Sequence, residues 1–215
     1  MSTLEEKLRK AIDEAKRISE KRNFNQSVEL IINLKDIDIK KPENKINEKI
    51  LLPNTVSGDI KICVFGDGSF AEKAKEAGAH TIITREILEK KAVNKKEMKK
   101  LAEEHDFFIA RADYMPLIGR YLGPILGPRN KMPELVPPTG DLTSVIGKSK
   151  NFVWIRMKDQ PTIQCIIGKE DMSTDKLLEN ALTIISRIRD KFKSLRNIKS
   201  IYVKTTMGKP VKIIP

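Results

Sequence analysis

Four short stretches hold the residue types that could do chemistry. KTTMGKP at 204–210 places two threonines, a methionine and a glycine between Lys204 and Lys209. Hydroxyls and exposed backbone amides bond ribose hydroxyls and phosphates, and glycine admits close backbone approach. Methionine adds a soft apolar surface for a sugar or base. An ordinary turn between two strands has the same make-up, so spacing alone leaves both readings open. RNFNQSVE at 22–29 sets Phe24 among polar residues just before a strand. An aromatic there can stack on a base or anchor a helix to a sheet, and the second is commoner.

GDGSFA at 66–71 follows a strand, opens a helix and fits the G-x-G-x-x-A pattern of dinucleotide-binding turns. Glu86 lies near the end of the next strand, about where a ribose-binding acid belongs. A nucleotide-binding enzyme using the Gly66–Gly68 turn is therefore the alternative function. Asp67 argues against it by placing negative charge where a pyrophosphate would sit. A tight strand-to-helix turn needs glycine whether or not a ligand is bound.

The fourth stretch, GRYLGPILGPRNKMP at 119–133, combines Gly119, Gly123 and Gly127 with two prolines that each follow a glycine. A membrane contact fails because Arg120 and the prolines interrupt an apolar run far short of ~20 residues. A phosphate cradle lacks the following lysine–hydroxyl pair. The expectation is an ordered loop packed down by Leu122, Ile125 and Leu126, with Arg129 and Lys131 facing RNA or the opposite domain.

Little else suggests catalysis. His80 and His105 stand at strand starts without cysteines or paired carboxylates at ligand spacing, so neither a metal site nor an acid–base dyad is expected. Lys95, Lys96, Lys99 and Lys100 recur on successive helical turns, as on a solvated face. Cys63 and Cys165 sit in apolar runs and read as buried thiols in a reducing cytoplasm. The N-terminal MSTLEEKLRK carries no apolar stretch of signal-peptide type. The net charge of +12 favours a polyanionic partner, and residues 151–215 hold 13 Lys+Arg against 6 Asp+Glu. A merely solubilising surface is the bland alternative.

The elements that must position these residues come from periodicity. Thr3 and Glu6 form a capping-box signal ahead of an amphipathic helix marked by Leu4, Leu8, Ala11, Ile12, Ala15 and Ile18. SVELIINL alternates as a half-buried strand. After a loop around Lys40–Pro42, Ile46, Ile50 and Leu52 mark a second strand, expected to pair antiparallel with the first. Beyond Gly58 the texture changes to apolar strands (IKICVFG, HTIIT, DFFIA) alternating with helices (69–77, 95–104, 116–121), the pattern of a parallel sheet with helices on its faces. FVWIRM, TIQCIIG, a long helix capped by Ser173 or Thr174, IKSIYVK and PVKII restore the first style. Neither outer piece is large enough for a core alone, because ~60-residue units are marginal. The expected fold class is a discontinuous α+β domain, 1–58 plus 151–215, interrupted by an α/β Rossmann-like domain, 59–150. Two adjacent chain crossovers would form a hinge.

LGPILGPRNKMP, DFFIARADYMPLIGRY, RNFNQSVE and TTMGKPVKIIP together resemble the large-subunit ribosomal protein family of the mobile stalk, the L-one family. DFFIA and the P-R-x-K-M-P ending resemble its archaeal branch. The resemblance covers essentially the whole chain and implies the two-domain architecture above. It implies no catalysis and no cofactor. The implied roles are binding of large-subunit ribosomal RNA in the cytoplasm, movement as deacylated tRNA leaves the exit site, and, in many members, repression of the protein's own mRNA. A monomer within the ribosome and no membrane partner complete the expectation. Carried over by motif, RNA contacts fall on Phe24, Ser27 and Glu29 and on Thr206, Met207 and Gly208, with Ser200, Lys204 and Thr205 beside the second cluster. Glu29 could accept from ribose hydroxyls or base amines. Asn23 stands where the pattern expects a basic residue, Ser27 replaces the commoner threonine, and Asn130 replaces the usual loop glycine. Asparagine tolerates left-handed backbone angles better than other non-glycine residues.

Overall fold

The computed structural model describes residues 3–38, 41, 44–56, 60–92, 94–137, 140–157, 159–192 and 197–213. Lys40 and Pro42 of the expected loop, Gly58 at the expected boundary and Ile214 of PVKII lie outside the described residues. The chain divides into two compact units, Met1–Ser57 with Asn151–Pro215, and Gly58–Lys150.

The first unit begins with α1 (Leu4–Arg17), where the Thr3–Glu6 capping box forms as its spacing predicts. Strand β1 (Ser27–Leu34) and strand β2 (Asn47–Leu51) follow. In the second unit the order is β3 (Ile62–Phe65), α2 (Ser69–Glu76), β4 (Thr81–Ile83), α3 (Arg85–Ala92), α4 (Lys95–Glu104) and β5 (Phe107–Arg111). A single 3-10 turn leads into α5 (Met115–Tyr121), α6 (Gly123–Leu126), β6 (Glu134–Val136) and α7 (Leu142–Ser149). The chain then returns to the first unit with β7 (Phe152–Arg156), β8 (Thr162–Lys169), α8 (Thr174–Phe192), β9 (Ile198–Thr205) and β10 (Val211–Ile213).

In the first unit, four antiparallel strands lie in the order β10-β9-β1-β8. Every second residue of β1 is buried. Val28, Leu30 and Ile32 share one core with Leu8 and Ile12 of α1 and with Leu177, Ile184 and Ile188 of α8. Both helices therefore cover one face of the sheet, and the alternate residues Glu29, Ile31 and Asn33 lie on the other. Burial of each such Leu or Ile stabilises by about 1.5–3 kcal/mol, which sets this face apart from its half-exposed opposite.

The expected β1–β2 pair does not form. β1 is a central strand between β8 and β9, while β2 pairs antiparallel with β7. Alternation records which face of a strand is buried; it carries no information about which strand lies alongside.

The second unit is a parallel sheet in the order β4-β3-β5-β6. All four residues of β3 are buried, so its side chains feed two cores. Cys63 and Phe65 pack with residues of α3, α4, α5 and α6, whereas Ile62 and Val64 pack with residues of α2 and α7. This double coverage explains the continuous apolar strands.

GRYLGPILGPRNKMP departs from its expected loop form, because much of it is helical. Pro124 stands in the first turn of α6, where its fixed φ suits a helix start and its missing N–H costs nothing. Leu122 and Leu126 are fully buried and Ile125 packs beside them. Asn130 has φ 55°, the left-handed conformation its residue type tolerates.

Candidate nucleic-acid interface

The turn after β9 is tied to the segment before β1 across about 180 residues of sequence, by bonds that alternate between backbone and side chain. Thr206 N donates to Ser27 O at 3.0 Å. Ser27 N donates to Thr206 Oγ1 at 3.0 Å, and that hydroxyl faces Ser27 O at 3.3 Å. Met207 N donates to Gln26 Oε1 at 3.0 Å. Gln26 is fully buried, and its Nε2 reaches Ser19 Oγ at 2.9 Å and Glu20 O at 3.0 Å. Ser19 Oγ and Thr205 Oγ1 are 2.8 Å apart. The structure thus brings RNFNQSVE and TTMG together as one surface.

Gly208 is required by close approach. A Cβ there would fall 2.2 Å from Thr205 Oγ1, which is buried and already engaged with Ser19. With that turn drawn in, Met207 points outward at 61% exposure, and Phe24 is 52% exposed. Two exposed apolar side chains flank polar groups, an arrangement suited to a base or sugar rather than to a protein core.

Two lysines supply charge. Lys204 Nζ donates to Thr206 O at 3.0 Å and lies 3.6 Å from Glu29 Oε2. Lys169 Nζ donates to Ser27 Oγ at 3.1 Å. Glu29 therefore orients a cation while retaining acceptor capacity.

Ser200 lies on the same sheet face as Lys204 but four residues along β9, about 13 Å away at strand rise. It is buried and accepts from Asn33 Nδ2 at 3.2 Å. Thr205 faces inward, so its role is to hold the turn.

Arg129 and Lys131 are engaged within the second unit. Arg129 pairs with Glu103 at 2.9 Å. Lys131 Nζ donates to Ala102 O at 3.0 Å and to His105 O at 2.7 Å, where it satisfies carbonyls at the end of α4.

Gln26, Ser19 and Lys169 are the residues that motif reasoning passed over. Gln26 sits in plain view within RNFNQSVE. Lys169 gives no local signal, because only the β1–β8 register places it opposite Ser27.

The Gly66–Gly68 turn lies beside the switch point between β3 and β5, where open α/β sheets bind ligands. Its geometry serves packing. A Cβ on Gly66 would fall 2.3 Å from the Phe70 ring. The Asp67 carboxylate accepts from the Tyr114 hydroxyl and from Arg85 N, the latter at 3.3 Å. Burial, then the hydrogen bond to Asp67, push the Tyr114 hydroxyl well above its ordinary pKa. A pyrophosphate in this crevice would meet a fixed carboxylate.

Hydroxyls, lysines, an exposed thioether and a tightly drawn glycine turn thus sit together on an open antiparallel sheet, the residue types that ribose and phosphate contacts use. Comparison with known proteins then identifies the family. Residues 7–209 match the model of the Ribosomal protein L1p/L10e family, and the chain belongs to that family. It is 46% identical over 212 residues to the large ribosomal subunit protein uL1 of Methanothermobacter thermautotrophicus, covering 98% of this chain and 100% of that one. The uL1 proteins of Staphylothermus marinus and Thermococcus kodakarensis are 48% and 46% identical, each over 97% of both chains. These archaeal relatives agree with the resemblance carried by the sequence motifs.

Proposed function

We propose that the chain is an RNA-binding structural constituent of the large ribosomal subunit, working in the cytoplasm as part of the ribosome. The observation that carries this is the stitching of Ser27, Glu29, Lys204, Thr206, Met207 and Gly208 into one surface. Residues 1–58 with 151–215 act as the RNA-binding domain, and residues 59–150 as an inserted Rossmann-like domain joined through a hinge at the two chain crossovers. Met207 and Phe24 supply apolar contact, Ser27 and Glu29 address ribose or base edges, and Lys204 and Lys169 address phosphates. Thr206 holds the turn and keeps a lone pair for a ribose hydroxyl. No catalytic role is proposed. The family resemblance further supports a place in the mobile stalk as deacylated tRNA leaves the exit site. It also supports repression of the protein's own mRNA through a similar RNA structure.

The test is binding of a large-subunit stalk RNA fragment at fixed salt, in competition with an unrelated duplex. Selective binding that Thr206→Ala weakens by about 1–3 kcal/mol supports the assignment. Equal affinity for both RNAs would reduce the chain to a nonspecific basic protein.

A further inference from the structure

Beyond the turn, the face of the four-stranded sheet opposite α1 and α8 has its own organisation. Register places Lys212, Tyr202, Ile31 and Gln164 in one row across the four strands. The next row toward the far end holds Ser200, Asn33 and Thr162. Asn33 links its row: its Nδ2 donates to Ser200 Oγ at 3.2 Å, and its Oδ1 accepts from Thr162 Oγ1 at 3.0 Å. This leaves Ser200 with a hydroxyl proton to give and Thr162 with lone pairs to accept. A groove of about 490 Å³ runs along these residues, bordered by Tyr202 and by the exposed Lys199 and Lys212.

The geometry points to a second RNA subsite here: an unpaired nucleotide whose base lies on the Tyr202 ring, with its flanking phosphates at Lys199 and Lys212. Bases stack on aromatic side chains of open sheets in a sequence-tolerant way. The donor and acceptor on the floor match the needs of a base edge. An acidic peptide would use the lysines but would leave the ring and the floor without partners. Tyr202 stands on the same face of β9 as Lys204, two residues away, so one RNA strand can engage the turn and the groove together. The inference rests on the reading of the turn as an RNA contact and assigns Tyr202, Lys199 and Lys212 to the same ligand.

The test uses the full chain and the stalk RNA fragment, comparing Tyr202→Leu, Tyr202→Phe, Lys199→Gln/Lys212→Gln and Thr206→Ala. Thermal melting verifies that each folds. Tyr202→Leu should lose roughly tenfold in affinity with an unchanged salt slope, while Tyr202→Phe, which keeps the ring, stays near wild type. Lys199→Gln/Lys212→Gln changes two exposed side chains and should lower the salt slope by about 2. If Tyr202→Leu binds as wild type and the lysine pair leaves the slope unchanged while Thr206→Ala weakens binding, the subsite is refuted and the turn stands. If Thr206→Ala also has no effect, both assignments fall. Should Tyr202→Leu misfold, the lysine pair decides: an unchanged slope refutes the subsite.

Discussion

Replacing Met207 by alanine isolates the apolar part of the proposed RNA contact. The backbone amide of Met207 holds the turn through Gln26, and alanine keeps that bond. The side chain is 61% exposed, so little folding energy depends on it. Fully burying a methionine is worth about 1.5–3 kcal/mol. Since 61% of the residue remains for RNA to cover, the contact can contribute about 1–2 kcal/mol. That is about 5- to 30-fold in Kd for the stalk RNA fragment, measured by filter binding or gel shift at one fixed salt concentration. The dependence of log K on log salt should not change, because no charge is lost. Stability should stay within about 0.5 kcal/mol of wild type. A Kd within twofold of wild type, with melting unchanged, would refute the placement of Met207 against RNA.

Other substitutions probe the supports. Gly208→Ala drives a Cβ against Thr205 Oγ1 and should cost about 1–3 kcal/mol in denaturant unfolding. Adding Thr205→Ala should recover part of that loss, giving a non-additive cycle. Lys204→Met should reduce the magnitude of the salt slope by about 1 if its ammonium neutralises a phosphate. Tyr114 is held neutral by burial and by Asp67, its folded pKa lying above the ordinary 10.0. Its stabilising contribution is therefore complete below pH 10 and is lost as pH rises through and beyond that value. Unfolding followed between pH 8 and 11.5 should show a decline that Tyr114→Phe reduces, with Tyr114→Phe costing about 1 kcal/mol at neutral pH.

In the second unit β3 to β5, α2, α4 and α5 lie close to their sequence-derived positions, because apolar strands alternated with helical stretches, whereas α3, β6 and α7 were not read from the sequence. The pairing of β1 was not legible, since burial alternation is blind to lateral neighbours. The glycine-rich stretch misled in a different way: Pro124 reads as a breaker in sequence yet begins α6. For the candidate interface, TTMG and RNFNQSVE stood out by residue type, but their union depends on contacts between Ser27 and Thr206 that no local pattern reveals. Lys131 shows the reverse. Its charge suggested a ligand, and the structure uses it to satisfy carbonyls at the end of α4.

Cross-linking the full chain to the stalk RNA fragment with ultraviolet light, followed by mass spectrometry of the attached peptides, reads out where on the chain the RNA lies. Adducts are expected on the 204–209 turn and on the segment around Phe24 to Glu29, suppressed by excess unlabelled stalk RNA but not by an unrelated duplex. Adducts confined to residues 60–150, or spread evenly over exposed lysines, would contradict the placement of RNA on this surface.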